Sequence, residues 1–316
     1  MQSNQLDGTL LIAPHQFPNL DREKRLAEQL GIPLVAAPDK ASFRAGMADA
    51  AVVMVTPYAR VEAQDFAAMT KCRAVVRYGM GYDNIDVAAA ATAGIPVSIV
   101  PGTASEEVAS HALAMGLALA RRIPQGQTAI RRGEWAGAVG FDTPKLSELT
   151  VGVVGLGRIG GFVARWWTAL GSNVLVHDPF ATECEFELAP LDRVLAEAHV
   201  VSLHLPLSSE TANLIDAPTL GRMRKGVVIV NVSRGGLIDE VALADAVRTG
   251  HVAGAGIDTF SVEPLPLDHP LRELENVITT PHVAWRSDRS LDALQIEAVE
   301  RARLALTGGE LPDRVA

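Results

Sequence analysis

Two groups of residues in this chain have the types and spacing to do chemistry. The first is Gly155-Leu156-Gly157-Arg158-Ile159-Gly160, lying between the apolar run Val151-Gly152-Val153-Val154 and a helix-like stretch. Glycines so placed let a chain leave a strand in a tight turn, bring backbone against a pyrophosphate and pack a helix closely on the strand. The N-terminus of such a helix offers free N–H groups and a partial positive charge to phosphate. Asp178, in Val176-His177-Asp178-Pro179, ends the next apolar run. It falls about 20 residues after the glycines, where an acid accepts from the ribose 2′-hydroxyl. Its charge would repel a 2′-phosphate, so the pattern predicts NAD in preference to NADP.

The second group is three polar segments, each following an apolar run: Asn231-Val232-Ser233-Arg234-Gly235-Gly236, Gly256-Ile257-Asp258-Thr259-Phe260-Ser261-Val262-Glu263-Pro264 and Thr280-Pro281-His282-Val283-Ala284-Trp285. In an open parallel sheet, ligands bind where strands end. Singly, an arginine, an acid or an imidazole is more often a surface or packing residue than a catalytic one. Order and spacing therefore carry the argument for Arg234, Glu263 and His282.

The elements that must position these groups are legible as β/α alternation. Short apolar runs at Thr9–Ile12, Ala51–Val55, Ala74–Tyr78 and Val97–Val100 are separated by helix-like segments such as Asp21–Leu30. A second series follows at Val151–Val154, Asn173–Val176, Val200–Leu203, Val227–Val230 and Val277–Thr279. Strands apolar on both faces belong to a parallel sheet covered by helices on each side. Between the two series, Ser105 to Arg122 reads as a linking helix with Ser105 as its N-cap and Glu106 and Glu107 in its first turn. Gln125 to Lys145, with Trp135 inside it, lacks clean periodicity and reads as an excursion; Val283 to Thr307 reads as mostly helix. A chain of 316 residues exceeds a single core, so two domains are expected.

Composition narrows the function classes. With 48% hydrophobic and 21% charged residues the chain is an ordinary globular one. A net charge of -9 leaves no basic excess for nucleic acid or anionic lipid, and the pairs Arg121-Arg122 and Arg131-Arg132 read as solvated helix faces. Cys72 and Cys184 have neither disulfide-framework nor metal-ligand spacing, so no metal is expected. The first residues carry no positive charge and Leu10 to Ala13 is too short for a signal core, so a cytoplasmic location is expected, with no membrane span.

Together with the glycine turn and Arg77-Tyr78-Gly79-Met80-Gly81-Tyr82-Asp83-Asn84-Ile85-Asp86, the polar segments closely resemble the NAD-dependent D-2-hydroxyacid dehydrogenase family. The ending Pro266-Leu267-Asp268-His269-Pro270-Leu271, then Ala284-Trp285, is most similar to the branch that includes bacterial relatives of the C-terminal binding proteins. The resemblance implies an α/β protein of two doubly wound parallel-sheet domains. A flavodoxin-like substrate domain would comprise residues 1–101 and 283–316, and a Rossmann NAD-binding domain residues 102–282, with substrate held between them. It implies that Arg234 pairs with the substrate carboxylate and C2 oxygen, that His282 exchanges the hydroxyl proton and that Glu263 orients the imidazole. Backbone at Tyr78, Gly79 and Met80 would bind the other side of the carboxylate. Asp258 would contact the nicotinamide carboxamide, and Arg158, Ile159, Leu205, Thr211 and Val232 would line the cofactor.

Trp285 is expected to form an apolar wall of the substrate pocket, against the alternative that it is a packing residue. Family members acting on 3-phosphoglycerate commonly begin the loop after the third strand with a phosphate-binding arginine; here it reads Thr56-Pro57-Tyr58, so a non-phosphorylated substrate is expected. With roughly thirty residues after His282, no appended regulatory module is expected. Relatives in the resembled branch often carry Tyr where this chain has Arg286, which leaves side-chain preference open. The linking helix and the Trp135 excursion resemble the family's dimer contacts and imply a homodimer. Two other readings share these motifs: an NAD(H)-responsive binding protein with little turnover, and an NAD-dependent enzyme acting on another small anion.

Overall fold

A computed structural model describes residues 6–140 and 143–316. The chain forms two compact units, one running to Thr103 and resuming with Ser287–Ala316, the other comprising Ala104–Arg286. These divisions fall after Thr103 and Arg286, whereas the sequence suggested 101 and 282. The later second division follows from a capping box. The Ser287 hydroxyl accepts from Ser290 N–H (2.9 Å) and the Ser290 hydroxyl from Ser287 N–H (2.8 Å), so the last helix is Asp288–Thr307 rather than a run from Val283.

The first unit is built on β1 (Thr9–Ile12), β2 (Leu34–Ala36), β3 (Ala50–Val55), β4 (Ala74–Arg77) and β5 (Val97–Ile99). All pair in parallel, in the order β2-β1-β3-β4-β5, which is the flavodoxin-like order. All six residues of central β3 are buried, as a strand covered on both faces requires. β2 is a three-residue edge with Val35 40% exposed, too short for its apolar residues to stand out as a strand. Helix Asp21–Leu30 buries Leu26 and Ala27 and stops at Gly31, whose φ of 67° is the left-handed C-cap that glycine adopts cheaply. The last helix packs on β3 and β4, and beyond it Val315 N–H donates to Val97 O (2.9 Å), extending the pairing at β5.

The second unit carries β6 (Thr150–Val154), β7 (Asn173–His177), β8 (Glu187–Leu188), β9 (Val200–Leu203), β10 (Val227–Asn231), β11 (Val252–Ile257) and β12 (Val277–Thr279). Their parallel order is β12-β11-β10-β9-β6-β7-β8. Counted from β6, the first six follow the Rossmann order 3-2-1-4-5-6, with β12 added at one edge. The order reverses at β6, which has β7 on one side and β9 on the other.

β11 has no apolar signature because packing demands glycine in it. A Cβ on Gly254 would lie 2.6 Å from Asn276 O, and one on Gly256 would lie 2.8 Å from Met115 Cβ. Met115 belongs to helix Ser105–Ala120, which begins after Ala104; Ser105 is its first residue rather than its cap, and no side chain caps it. The Gln125–Lys145 segment overlaps a regular helix, Ile123–Arg131, with proline in its first turn, followed by short 3-10 turns; its Phe141 and Asp142 lie outside the described residues. Among the described residues no helix is long and apolar enough to cross a membrane.

Candidate functional site

Three glycines after β6 do three different jobs. Gly155 has a φ of 96°, and a Cβ on it would sit 2.4 Å from His204 O, so the turn closes against the end of β9. A Cβ on Gly160 would sit 2.0 Å from Gly155 O, so helix Arg158–Ala169 can approach its strand only with glycine there. At Gly157 no protein atom lies within 4 Å of the Cβ position. Gly157 is also the N-cap of that helix and supplies no side-chain hydrogen bond, so the first-turn N–H groups have no capping oxygen. Open space over uncapped N–H groups fits a dinucleotide's diphosphate.

Asp178 directly follows β7. Its Oδ2 accepts from Leu156 N–H (2.7 Å) and its Oδ1 from Phe180 N–H (2.9 Å), which fixes the carboxylate beside the glycine turn. Arg158 is the exposed first residue of the helix, while Ile159 packs partly against the apolar core beneath. Leu205 follows β9, and Val232, 7% exposed, follows β10. The Thr211 hydroxyl accepts from Ser208 N–H and donates to Pro206 O, both at 2.8 Å. A 370 Å³ cavity lined by Leu156, Gly157, Arg158, Gly161, Arg165 and Phe186, among others, opens at the glycine turn.

Arg234, Glu263 and His282 all follow strands of this sheet, after β10, β11 and β12. Asn231, the last residue of β10, shapes the arginine loop: its Nδ2 donates to Arg234 O (2.8 Å) and its Oδ1 accepts from Ser233 N–H (3.0 Å). Ser233 Oγ donates to Leu203 O (2.8 Å), tying the loop to β9. Glu263 Oε1 accepts from Phe260 N–H (2.9 Å), and Oε2 lies 2.8 Å from His282 Nδ1. Burial pushes the Glu263 carboxyl up, but the hydrogen bond and charge of His282, the Phe260 N–H and the Arg234 charge outweigh it and hold the group below its ordinary value. A carboxylate accepting from Nδ1–H makes Nε2 the atom free to exchange a proton, and Nε2 has no protein partner among the described residues.

His282 has a φ of 55°, in the left-handed region where a side chain is strained, and Asp258 holds it there. Asp258 O accepts from His282 N–H (2.8 Å), Oδ1 from Val283 N–H (2.9 Å) and Thr280 Oγ1 (2.5 Å), and Oδ2 from Ala284 N–H (2.9 Å). The residue is 0% exposed. Its carboxylate thus braces the loop that carries His282. Trp285 is tied to the same loop, its indole N–H donating to His282 O (3.1 Å), and the Arg286 guanidinium lies 5.7 Å from its ring centroid.

In the five-stranded unit, Tyr78 is 1% exposed and its hydroxyl donates to Glu23 Oε1 (2.8 Å). Burial pushes the phenol well up from its ordinary value, with the Glu23 charge and hydrogen bond adding to it. Its backbone is occupied too, with N–H on Val55 O (2.9 Å) and O accepting from Arg77 Nη1. The Tyr78 side chain therefore belongs to the core of this unit. Gly79 and Met80 differ: neither N–H has a protein acceptor among the described residues, and Met80 is 48% exposed. Gly79 has a φ of 116°, and a Cβ on it would lie 2.2 Å from Arg77 Nη1.

Sequence reasoning assigned no role to Asn231, Thr280 or His111. The first two stand inside recognised segments, and that position was the available signal. His111 Nε2 lies 3.0 Å from Thr280 Oγ1, a contact made from a helix about 170 residues earlier that no local pattern reports.

Residues 113–284 match the sequence profile of the D-isomer specific 2-hydroxyacid dehydrogenase, NAD binding domain. The chain is 41% identical over 295 residues to D-3-phosphoglycerate dehydrogenase of Mycobacterium leprae, a match covering 92% of this chain and 56% of that protein. The chain thus spans little more than half the length of that relative. It is 39% identical over 275 residues to glyoxylate reductase of Korarchaeum cryptofilum, covering 84% and 81% of the two chains. Among solved structures, D-lactate dehydrogenase of Aquifex aeolicus, complexed with NAD and lactic acid, superposes with a TM-score of 0.87 at 27% identity, covering 95% of this chain and 96% of that one.

Proposed function

The chain belongs to the D-isomer specific 2-hydroxyacid dehydrogenase family, and we propose that it transfers hydride between NAD(H) and C2 of a small, non-phosphorylated D-2-hydroxy acid or 2-oxo acid. The observation that carries this reading is the 2.8 Å Glu263–His282 pair, which leaves Nε2 as the proton-exchanging atom, with the Arg234 charge acting on the same carboxylate. NAD, when bound, supplies the hydride acceptor or donor. Glu263 takes the Nδ1–H and fixes the tautomer, so that Nε2 gives a proton to the C2 oxygen in reduction and removes it in oxidation. The Arg234 guanidinium pairs with the substrate carboxylate and C2 oxygen, which suits its planar fork of donors. Gly79 and Met80 offer two unused N–H donors of the kind a carboxylate takes, and we assign them to substrate binding. Gly157 with the first turn of helix Arg158–Ala169 would hold the diphosphate, and Asp178 the ribose 2′-hydroxyl.

Absence of a phosphate on the substrate is supported by the loop after β3. Thr56 is 1% exposed and its hydroxyl donates to Pro14 O (2.6 Å), so the loop opens with a neutral, inward-turned side chain. A second reading, a phosphorylated three-carbon acid, is favoured by the 41% identity to a D-3-phosphoglycerate dehydrogenase. We also propose a homodimer, supported by the exposed Ile123, Ile130 and Trp135 of one segment, and a cytoplasmic location.

The test is NADH consumption by purified protein against glyoxylate, pyruvate, larger apolar 2-oxo acids and 3-phosphohydroxypyruvate, repeated with NADPH. We expect the highest kcat/KM on a non-phosphorylated acid and strong preference for NADH. A higher value on the phosphorylated acid selects the second reading, and equal kcat/KM with NADPH removes the role given to Asp178. No turnover on any of the acids turns the chain into an NAD(H)-responsive binder.

A further inference from the structure

The loop that carries Glu263 is held by a second carboxylate and a second imidazole. Glu240 is the first residue of helix Glu240–Arg248, and its side chain meets the segment after β11. Its Oε1 accepts from Ser261 N–H (2.7 Å) and Ser261 Oγ (3.1 Å), and its Oε2 lies 2.9 Å from His269 Nε2. His269 Nδ1 accepts from Leu271 N–H (3.4 Å), which leaves Nε2 to carry the proton and donate to Glu240. The Glu240 and His269 side chains are only 10% and 13% exposed, and the His269 ring meets Phe260 edge-on at 6.1 Å. Two successive peptide N–H groups thus go to two different acids, Phe260 N–H to Glu263 and Ser261 N–H to Glu240.

We propose that Glu240 and His269 are positioning residues for proton transfer, holding the Phe260–Glu263 loop so that Glu263 meets His282 Nδ1. This rests on the Glu263–His282 reading above. Neither residue touches a reacting atom. Their effect passes through one peptide group: without Glu240, Ser261 loses its acceptor, the adjoining Phe260 N–H is no longer fixed, and the Glu263 carboxylate is free to turn from the imidazole. Misplacing such a pair by about 1 Å can cost about a hundredfold in rate, because the reacting geometry is lost while binding surfaces are kept.

The experiment compares kcat, KM for the 2-oxo acid and NADH Kd for Glu240→Ala, His269→Ala, His269→Gln, Glu263→Gln and the double variant Glu240→Ala/Glu263→Gln, each checked for fold by circular dichroism. We expect Glu240→Ala to lower kcat about tenfold to a hundredfold, with KM and NADH Kd within about twofold. His269→Ala should lose kcat in the same sense and His269→Gln should regain most of it, because its amide N–H can still donate to Glu240. In the Glu263→Gln background, Glu240→Ala should add less than about twofold, since the residue it serves is already altered. Wild-type kcat in Glu240→Ala, or an effect undiminished in that background, overturns the proposal. Should Glu240→Ala not fold, the His269 pair decides: loss in Ala with recovery in Gln supports the proposal, and no loss in Ala overturns it. An unchanged kcat in Glu263→Gln overturns the Glu263 reading and this one with it. A loss in Glu263→Gln without any in Glu240→Ala overturns this one alone.

Discussion

The two units share a parallel, doubly wound architecture, yet the C-terminal ends of their strands offer different chemistry. In the five-stranded unit the end of β4 offers backbone: the N–H groups of Gly79 and Met80 are unused, while the Tyr78 side chain turns into the core. In the seven-stranded unit the corresponding edge offers side chains, with Asp178, Arg234, Glu263 and His282 each following a strand and each held by neighbouring backbone. Backbone donors need only a conformation, so their determinant is a glycine at a φ of 116°. Proton transfer needs ionisable groups, and these come with a supporting set of hydrogen bonds that keeps them aimed. Substitutions that act on one kind of determinant and leave the other intact separate the two.

The largest effect is expected at the proton donor. His282→Ala should lower kcat in both directions by about 10²- to 10⁴-fold while NADH Kd stays unchanged. Steady-state kinetics with NADH titration checks this, and near-normal turnover would pass the proton role to another residue. Next comes the backbone side: Gly79→Ala forces a Cβ against Arg77 Nη1 at a φ that alanine avoids. We expect KM for the oxo acid to rise about tenfold or more and stability to fall by about 1–3 kcal/mol, with NADH Kd unmoved. An unchanged KM would mean that this N–H does not meet substrate.

The glycine turn supplies an internal control. Gly160→Ala puts a Cβ 2.0 Å from Gly155 O and should destabilise the fold by about 1–3 kcal/mol. Gly157→Ala meets open space, so its Tm should hold while NADH Kd rises about tenfold. Equal losses of Tm in the two would erase the distinction between packing and ligand glycines. The smallest effect expected is a shift in pH dependence. Reduction consumes a proton from His282 and should weaken as pH rises, while oxidation strengthens over the same range. Because Glu263 is held below its ordinary carboxylate value, the loss of activity on acidification should set in below the usual carboxylate range, and Glu263→Gln should remove that acid limb. A limb that stays in place, measured as kcat against pH, would leave Glu263 with no electrostatic role.

What the sequence made legible was local. The glycine turn, Asp178 and the polar segments are defined by spacing within a few tens of residues, and β3 is an unbroken apolar run, as β10 is up to Asn231. What stayed hidden depends on partners far along the chain. The glycines of β11 gain their reason only when Asn276 and Met115 are seen to exclude side chains there. Nothing near Tyr78 in the sequence tells that Glu23 takes its hydroxyl. Asp258 stands where a ligand contact was expected, and only the return of Thr280, Val283 and Ala284 shows where its oxygens go. Glu240 and His269 escaped because no spacing within a segment reports that their side chains meet.

Chain order carries one more consequence, for the sequence of events during synthesis. The seven-stranded unit is continuous in sequence, so all of its strands exist before residue 287 leaves the ribosome. The five-stranded unit has all its strands by Ile99 but lacks the helix that covers β3 and β4 and the segment that pairs with β5 until the final thirty residues arrive. At about 5–20 residues per second, the interval is on the order of ten seconds or more, with apolar Val52, Val53, Val75 and Val76 in a sheet whose covering is incomplete. The unit whose strands are made first is thus the last to close.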